Sequence, residues 1–390
     1  MFKTTPINLD RAAGASANTS SPHEEGRRSR EQLERARADI ARLIEVQPDD
    51  VIFTSGATEA NALAILGSVR GLTKSLISGF GMSGLRKSTL HVLYLPSAHA
   101  SVVENIKLLS REGVEIEELP IANYRVNIEA LKKMIRKETV LISMDAVCGE
   151  TGTVWNTREV ASVIREPSRA KRGILLHVDA SQAPLTEKIS RAHFDADMLT
   201  FDSSKVGTTR GIGALIAHRT IPLEPLYRGG GQERGLRPGS EPFELARNFA
   251  ADLSAAVVGR EKFCASAKIE RIKLIEFIKN TLPTVYINEG RVQSSNILNI
   301  SLPNRDTDYI VALLDEEEFA VSTRSACETD SENGSRAVFA LTGDTTRARA
   351  TLRISWGPDI RPRAFVRFRK ALARAVAFVS QDSTIGTMVD

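Results

Sequence analysis

Residues 174–205 read ILLHVDASQAPLTEKISRAHFDADMLTFDSSK, and this stretch decides the fold. Ile174–Val178 is a short apolar run that ends at Asp179, and Met198–Phe201 is a second that ends at Asp202-Ser203-Ser204-Lys205. The same unit recurs outward. Strands are expected at Val51–Thr54, His91–Leu95, Val114–Glu118, Val140–Met144 and Gly213–Ala217, with helical periodicity over Thr58–Ile65, Ser101–Leu109 and Glu129–Ile135. Strands alternating with helices predict an α/β fold, a mostly parallel seven-stranded sheet covered on both faces. Upstream, Glu31–Ile44 puts Leu33, Ala36, Ile40 and Leu43 on one face, the pattern of an amphipathic helix.

After Pro242 the pattern changes. Glu244–Leu282 reads as one long helix or two, and its length fits a connector between domains. Strands are expected near Ser295–Ser301, Ala320–Thr323 and Leu352–Ser355, then a last helix, Pro362–Val379. There Phe365, Phe368, Leu372, Val376 and Val379 share a stripe and the basic residues lie largely off it, so the helix is expected to dock on its domain. The expected division is a large domain of residues 16–245 and a smaller α+β domain made of 1–15 and 246–390.

Composition narrows the class. The 390 residues, 42% hydrophobic and 26% charged, are those of an ordinary globular chain and exclude a disordered or collagen-like one. Fifty-two basic against 48 acidic residues leave +4, too small and too evenly spread for a nucleic-acid surface. No apolar run approaches the ~18 residues of a membrane helix, and Met1–Pro6 lacks the apolar core of a secretory signal. Cys148, Cys264 and Cys327 stand far apart with no C-x-x-C pair. No metal site or disulfide framework is expected, and free thiols fit a cytoplasmic setting. An isolated cysteine stays open as a nucleophile.

Three places could carry chemistry. Thr54-Ser55-Gly56-Ala57-Thr58 is a strand end, a small-residue turn and a helix start, whose N–H groups and Thr58 hydroxyl could seat an anion, or simply cap the turn. Asp179 ends a strand where open α/β sheets keep their ligand sites; a carboxylate there needs a cationic partner, such as a protonated ring nitrogen, or caps the next turn. Lys205 follows the next strand, placed for a Schiff base with an aldehyde cofactor if desolvated; most such lysines are merely solvated.

The order of these motifs is more specific than any one of them. It runs from the G-A-T-E turn through Ser97-Ala98-His99, H-V-D-A-S-Q and S-x-K to Gly229–Ser240, Arg324-Ser325-Ala326-Cys327 and Leu352-Arg353-Ile354-Ser355. In this the chain resembles the cysteine desulfurases, pyridoxal-phosphate enzymes of the class V aminotransferase group, over nearly its whole length. The resemblance implies a fold-type I homodimer that converts L-cysteine to L-alanine and passes the sulfur to an acceptor protein, such as an iron–sulfur scaffold or a thiolation partner. By the same resemblance Lys205 would hold the cofactor, Asp179 would pair with its ring nitrogen, Gln182 would bond the ring hydroxyl, and His99 would stack on the ring and serve as an acid or base. Ala57, Thr58 and Ser204 would lie near the phosphate, with Ser240 arriving from a second subunit. Arg353 would grip the substrate carboxylate. Cys327 would take the sulfur as a persulfide; its charged neighbours Arg324, Glu328 and Asp330 argue against burial, and Arg324 favours the thiolate. The long polar stretch after Cys327 resembles the branch that feeds iron–sulfur assembly.

The sequence also departs from the family. Ser204 replaces a histidine before the lysine, and Asp202 stands where a serine is expected. Cys148-Gly149-Glu150 replaces Asn-Asn-Glu, and Ile7–Ala13 runs almost directly into Asn18–His23 without the usual helix. A carboxylate beside a phosphate is repulsive unless a cation such as Arg210 or Arg237 intervenes. Two alternatives therefore stay open at this point: a related pyridoxal-phosphate lyase or transaminase, which has no need of Cys327, and a degenerate paralogue that binds a partner without catalysis.

Overall fold

The computed structural model describes residues 9–14, 17–77, 90–166, 173–282, 284–323 and 334–385. The glycine-rich loop at Gly79–Gly84, residues Ile7 and Asn8, and Arg324 with Cys327 lie outside the described residues.

The large sheet has seven strands: β1 Val51–Thr54, β2 His91–Tyr94, β3 Glu115–Glu118, β4 Thr139–Asp145, β5 Leu175–Asp179, β6 Met198–Asp202 and β7 Gly213–Ala217. Their spatial order is β1-β7-β6-β5-β4-β2-β3. Only β7 runs against its neighbours β1 and β6; the other pairings are parallel. β4 and β7 are buried at every position, because helices cover both faces and neither row of side chains meets water. Gly213 lets β7 close up against its neighbours: a Cβ there would lie 2.7 Å from the Gly56 carbonyl carbon and from the Phe201 oxygen.

Helix α1, Glu24–Ile44, buries Leu33, Ala36, Ile40 and Ile44. After β1 the chain forms α2, Ala57–Ala62, a π turn at Leu63–Gly67 and α3, Ser68–Ile77, so the helix expected to end near Ile65 runs on. After β2 comes α4, Ala100–Arg111. The Gly229–Gly235 segment is a single turn with Glu233 and Arg234 at φ 47° and 60°. Buried Glu233 explains it: its carboxylate accepts from the Arg37 guanidinium at 2.7 and 2.8 Å and from the Phe53 N–H at 2.8 Å, tying this loop to α1 and β1.

The connector is one unbroken helix, Phe243–Thr281, and it spans two cores. Its Phe249 and Leu253 join the core of the large sheet, and its Leu274 and Ile278 join a second. That second core also holds the three-stranded antiparallel sheet Tyr286–Ile287, β8 Ile297–Ser301 and β9 Thr351–Ser355, with β8 in the middle. The helix Pro362–Ile385 buries the expected stripe, Phe365, Phe368, Leu372, Val376 and Val379, against it. Among the described residues no helix is long and apolar enough to cross a membrane. The strand expected at Ala320–Thr323 is not one. Ser322 alone pairs with Arg353, its N–H donating at 3.3 Å and its carbonyl accepting at 2.7 Å.

Candidate active site

A cavity of about 280 Å³ opens at the carboxyl edge of the large sheet. It lies there because the strands deliver their ends to one place: Ala57 and Thr58 after β1, His99 after β2, Asp145 at the end of β4, Asp179 at the end of β5, and Asp202, Ser204 and Lys205 around the end of β6. Gln182 follows β5 in the wall, and Arg353 enters from β9 of the small sheet. Ser240 is exposed and outside the cavity of its own chain.

Asp179 is buried, and its hydrogen-bond donors, the Ser181 N–H and the Asn61 amide, are neutral. Oδ1 accepts from the Ser181 N–H at 3.0 Å and Oδ2 from the Asn61 amide at 2.7 Å. The same Asn61 nitrogen donates to Ser101 Oγ at 2.9 Å, which frees the Ser101 hydroxyl to donate to His99 Nδ1 at 2.8 Å. The Ser101 N–H also points at Nδ1, at 3.1 Å. One chain of hydrogen bonds thus runs from the carboxylate to the exposed imidazole and leaves the ring proton on Nε2.

Across the strands, Asp145 is in register with Asp179. Asp145 Oδ1 is buried with no hydrogen-bond partner. Burial first, then the charge of Asp179, pushes the Asp145 carboxyl up to about 8, so it is neutral at pH 7. Burial likewise pushes the Cys148 thiol up to about 12. Cys148 is a wall residue in its thiol form, not a nucleophile. Next to it, Gly149 leaves room for Gln182, whose Nε2 lies 3.0 Å from where a Cβ would stand. The Gly149 carbonyl accepts from Arg353 Nη1 at 3.2 Å. His177 is core: its ring bridges the hydroxyls of Ser143 and Thr200 at 2.8 and 3.1 Å, and burial lowers it to about 4.

Also in the wall, Asp202 Oδ2 accepts from the Ala57 N–H at 2.8 Å. Its Oδ1 accepts from the Ser204 N–H at 2.8 Å and the Ser204 hydroxyl at 2.7 Å. Arg237 does not neutralise it; its Nε pairs with Glu59 at 3.4 Å.

The family model for class-V aminotransferases matches residues 12–359. Cysteine desulfurase IscS 1 of Archaeoglobus fulgidus is 32% identical over 87% of this chain and 84% of its own length. Cysteine desulfurase IscS of Salmonella arizonae is 30% identical over 90% and 82%. A solved NifS-like protein superposes with TM-score 0.81 at 26% identity, covering 93% of this chain and 92% of that one. The chain belongs to the cysteine desulfurase family of class-V aminotransferases.

Cysteine desulfurases depend on pyridoxal phosphate. The cavity fits that group: a buried carboxylate, Asp179, held by the neutral Ser181 N–H and Asn61 amide, suits a protonated ring nitrogen, and Gln182 and Lys205 share its walls. Besides the residues expected in this cysteine desulfurase, the cavity recruits Asp145 and Arg336, and Asn61 supports it from behind. Asp145 ends an apolar strand as Asp179 does, so the same signal marks both. Asn61 is a polar residue on an apolar helix face. Arg336, whose Nη2 donates to the Ala98 carbonyl at 2.8 Å, has no local signal and is placed only by the fold.

Proposed function

We infer that this pyridoxal-phosphate-dependent cysteine desulfurase works through Lys205, Asp179, Gln182, His99 and Arg353 at the sheet edge, with Cys327 as sulfur acceptor. The observation that carries the reading is the meeting of the first five in one cavity, although they come from segments scattered between residues 99 and 353. Bound there, pyridoxal phosphate supplies an electron sink for the carbon skeleton of L-cysteine. Lys205 holds the cofactor aldehyde, and Asp179 favours a protonated ring nitrogen because burial leaves its negative charge to be balanced. Arg353 receives the substrate carboxylate as a forked donor. His99, its Nδ1 accepting from the Ser101 N–H, holds a proton at Nε2 beside the ring.

Cys327 attacks the substrate sulfur as a thiolate: an S–S bond forms, the substrate C–S bond breaks, and carbon keeps the electron pair and takes a proton. Alanine and a Cys327 persulfide result, and the sulfur passes to an acceptor protein such as an iron–sulfur scaffold. Both flanks of the segment that carries Cys327 support its reach to the cavity, since Ser322 pairs with Arg353 and Arg336 lines the wall. Ser240, exposed and outside its own cavity, suits a homodimer in which it serves the partner. The free thiols Cys148 and Cys264 suit a cytoplasmic setting.

The test is the visible spectrum of the protein with pyridoxal phosphate, before and after L-cysteine, together with alanine release. A cysteine-sensitive band that Lys205→Ala abolishes is expected, with alanine release lost in Cys327→Ser while the band remains. A band unaffected by Lys205→Ala, or alanine release unaffected by Cys327→Ser, overturns the assignment.

A further inference from the structure

The Ala57 N–H, the Ser204 N–H and the Ser204 hydroxyl meet at one point of the cavity wall, and a single side chain takes all three. Asp202 accepts from them at 2.8, 2.8 and 2.7 Å. Gly56 makes the room, for a Cβ there would stand 3.3 Å from Asp202 Oδ2. Ala57 opens a helical run that continues without a break to Ile77, so its N–H is a first-turn donor with no partner of its own in the helix. No ion pair of Asp202 is found among the described residues, and Glu59 holds the neighbouring Arg237.

We propose that Asp202 is an internal anion lodged in the phosphate seat, and that it strips the cofactor's phosphate of most of its share in binding. The inference rests on the cofactor reading above and goes beyond it, to how this chain selects among pyridoxal compounds. Two anions cannot share three donors: an incoming phosphate must displace the carboxylate or lie against it with no cation between them. The ring contacts of Asp179 and Gln182 do not depend on that competition. The chain therefore holds the ring firmly and discriminates weakly between phosphorylated and unphosphorylated ligands. Residue 202 sets that discrimination.

Pyridoxine 5′-phosphate and pyridoxine test this by calorimetric titration of the cofactor-free protein, because they share the ring and lack the aldehyde that would engage Lys205. In the native chain the two dissociation constants are expected to lie within a few-fold of each other. In Asp202→Ser the phosphorylated ligand is expected to tighten by about tenfold or more, with pyridoxine unchanged. Asp202→Asn, which removes the charge and keeps the shape, is expected to fall between, and it carries the test if the serine variant melts early. A native chain that already prefers the phosphorylated ligand strongly, with neither substitution improving it, overturns the proposal. If neither ligand binds any of the three proteins, the cofactor reading fails, and this inference with it. If pyridoxine binds and the phosphate preference does not respond to residue 202, only the inference fails.

Discussion

Asp145 and Asp179 face each other in register across β4 and β5, and burial, then the charge of Asp179, pushes the Asp145 carboxyl up to about 8. Asp179 has two neutral donors, whereas Asp145 Oδ1 has none. Burial is the larger cause at Asp145, because a carboxylate that loses hydration gains little in exchange when one of its oxygens has no donor.

The pair predicts how stability depends on pH. A folded-state value near 8, raised above the ordinary 3.8, means the folded chain binds a proton that the unfolded chain releases. The stabilisation is complete below about pH 4 and is lost as pH rises through about 8. Asp145→Asn removes that dependence, so its melting temperature should gain on the native chain between pH 5 and pH 8.5. Differential scanning calorimetry of the cofactor-free proteins checks this, and parallel curves would count against a neutral Asp145.

Asn61 donates to Asp179 and to Ser101 from one amide, so removing it withdraws a donor from a buried carboxylate. Asn61→Ala should cost about 1–3 kcal/mol in urea unfolding. The His99 tautomer should be kept, because the Ser101 N–H still donates to Nδ1. A loss below about 1 kcal/mol would mean that water takes the place of the amide.

Arg353 is expected to bind the substrate carboxylate while its Nη1 is steadied by the Gly149 carbonyl. Arg353→Lys keeps the charge and loses the fork, so KM for L-cysteine should rise by about tenfold with a smaller change in kcat. Equal loss in kcat at an unchanged KM would place Arg353 elsewhere in the reaction.

Glu233 and Arg37 form a buried ion pair at 2.7 Å that also anchors the Phe53 N–H. Glu233→Ala strands the guanidinium and the amide together and should destabilise the fold by about 3–5 kcal/mol in urea unfolding. A loss under 1 kcal/mol would mean that water reaches the site.

Much of this was legible along the chain. Six strands of the large sheet are mostly apolar, largely buried runs that stand out without any knowledge of their neighbours, whereas the edge strand β3, Glu115–Glu118, is polar and largely exposed. The closing helix declared its buried face through the Phe365, Phe368, Leu372, Val376 and Val379 spacing. Ala320–Thr323 misled because its small, β-branched residues match a strand, yet its backbone pairing with β9 is the single bridge from Ser322 to Arg353. Strand propensity is local and pairing is not.

The division between sequence and tertiary structure is clearest at Asp202. By itself the sequence determined the α/β order, the position of Lys205 and Asp179 at strand ends, and the presence of a carboxylate, Asp202, three residues before that lysine. Those are properties of residues read in order. Only the folded chain decided what that carboxylate does, because the Ala57 N–H that binds it lies 145 residues away in sequence and 2.8 Å away in space. It decided equally that the Asp145 carboxyl is pushed up, through burial and the charge of Asp179. A carboxyl group's ionisation is set by how many donors and charges surround it once water is excluded, and the chain order alone does not state those neighbours.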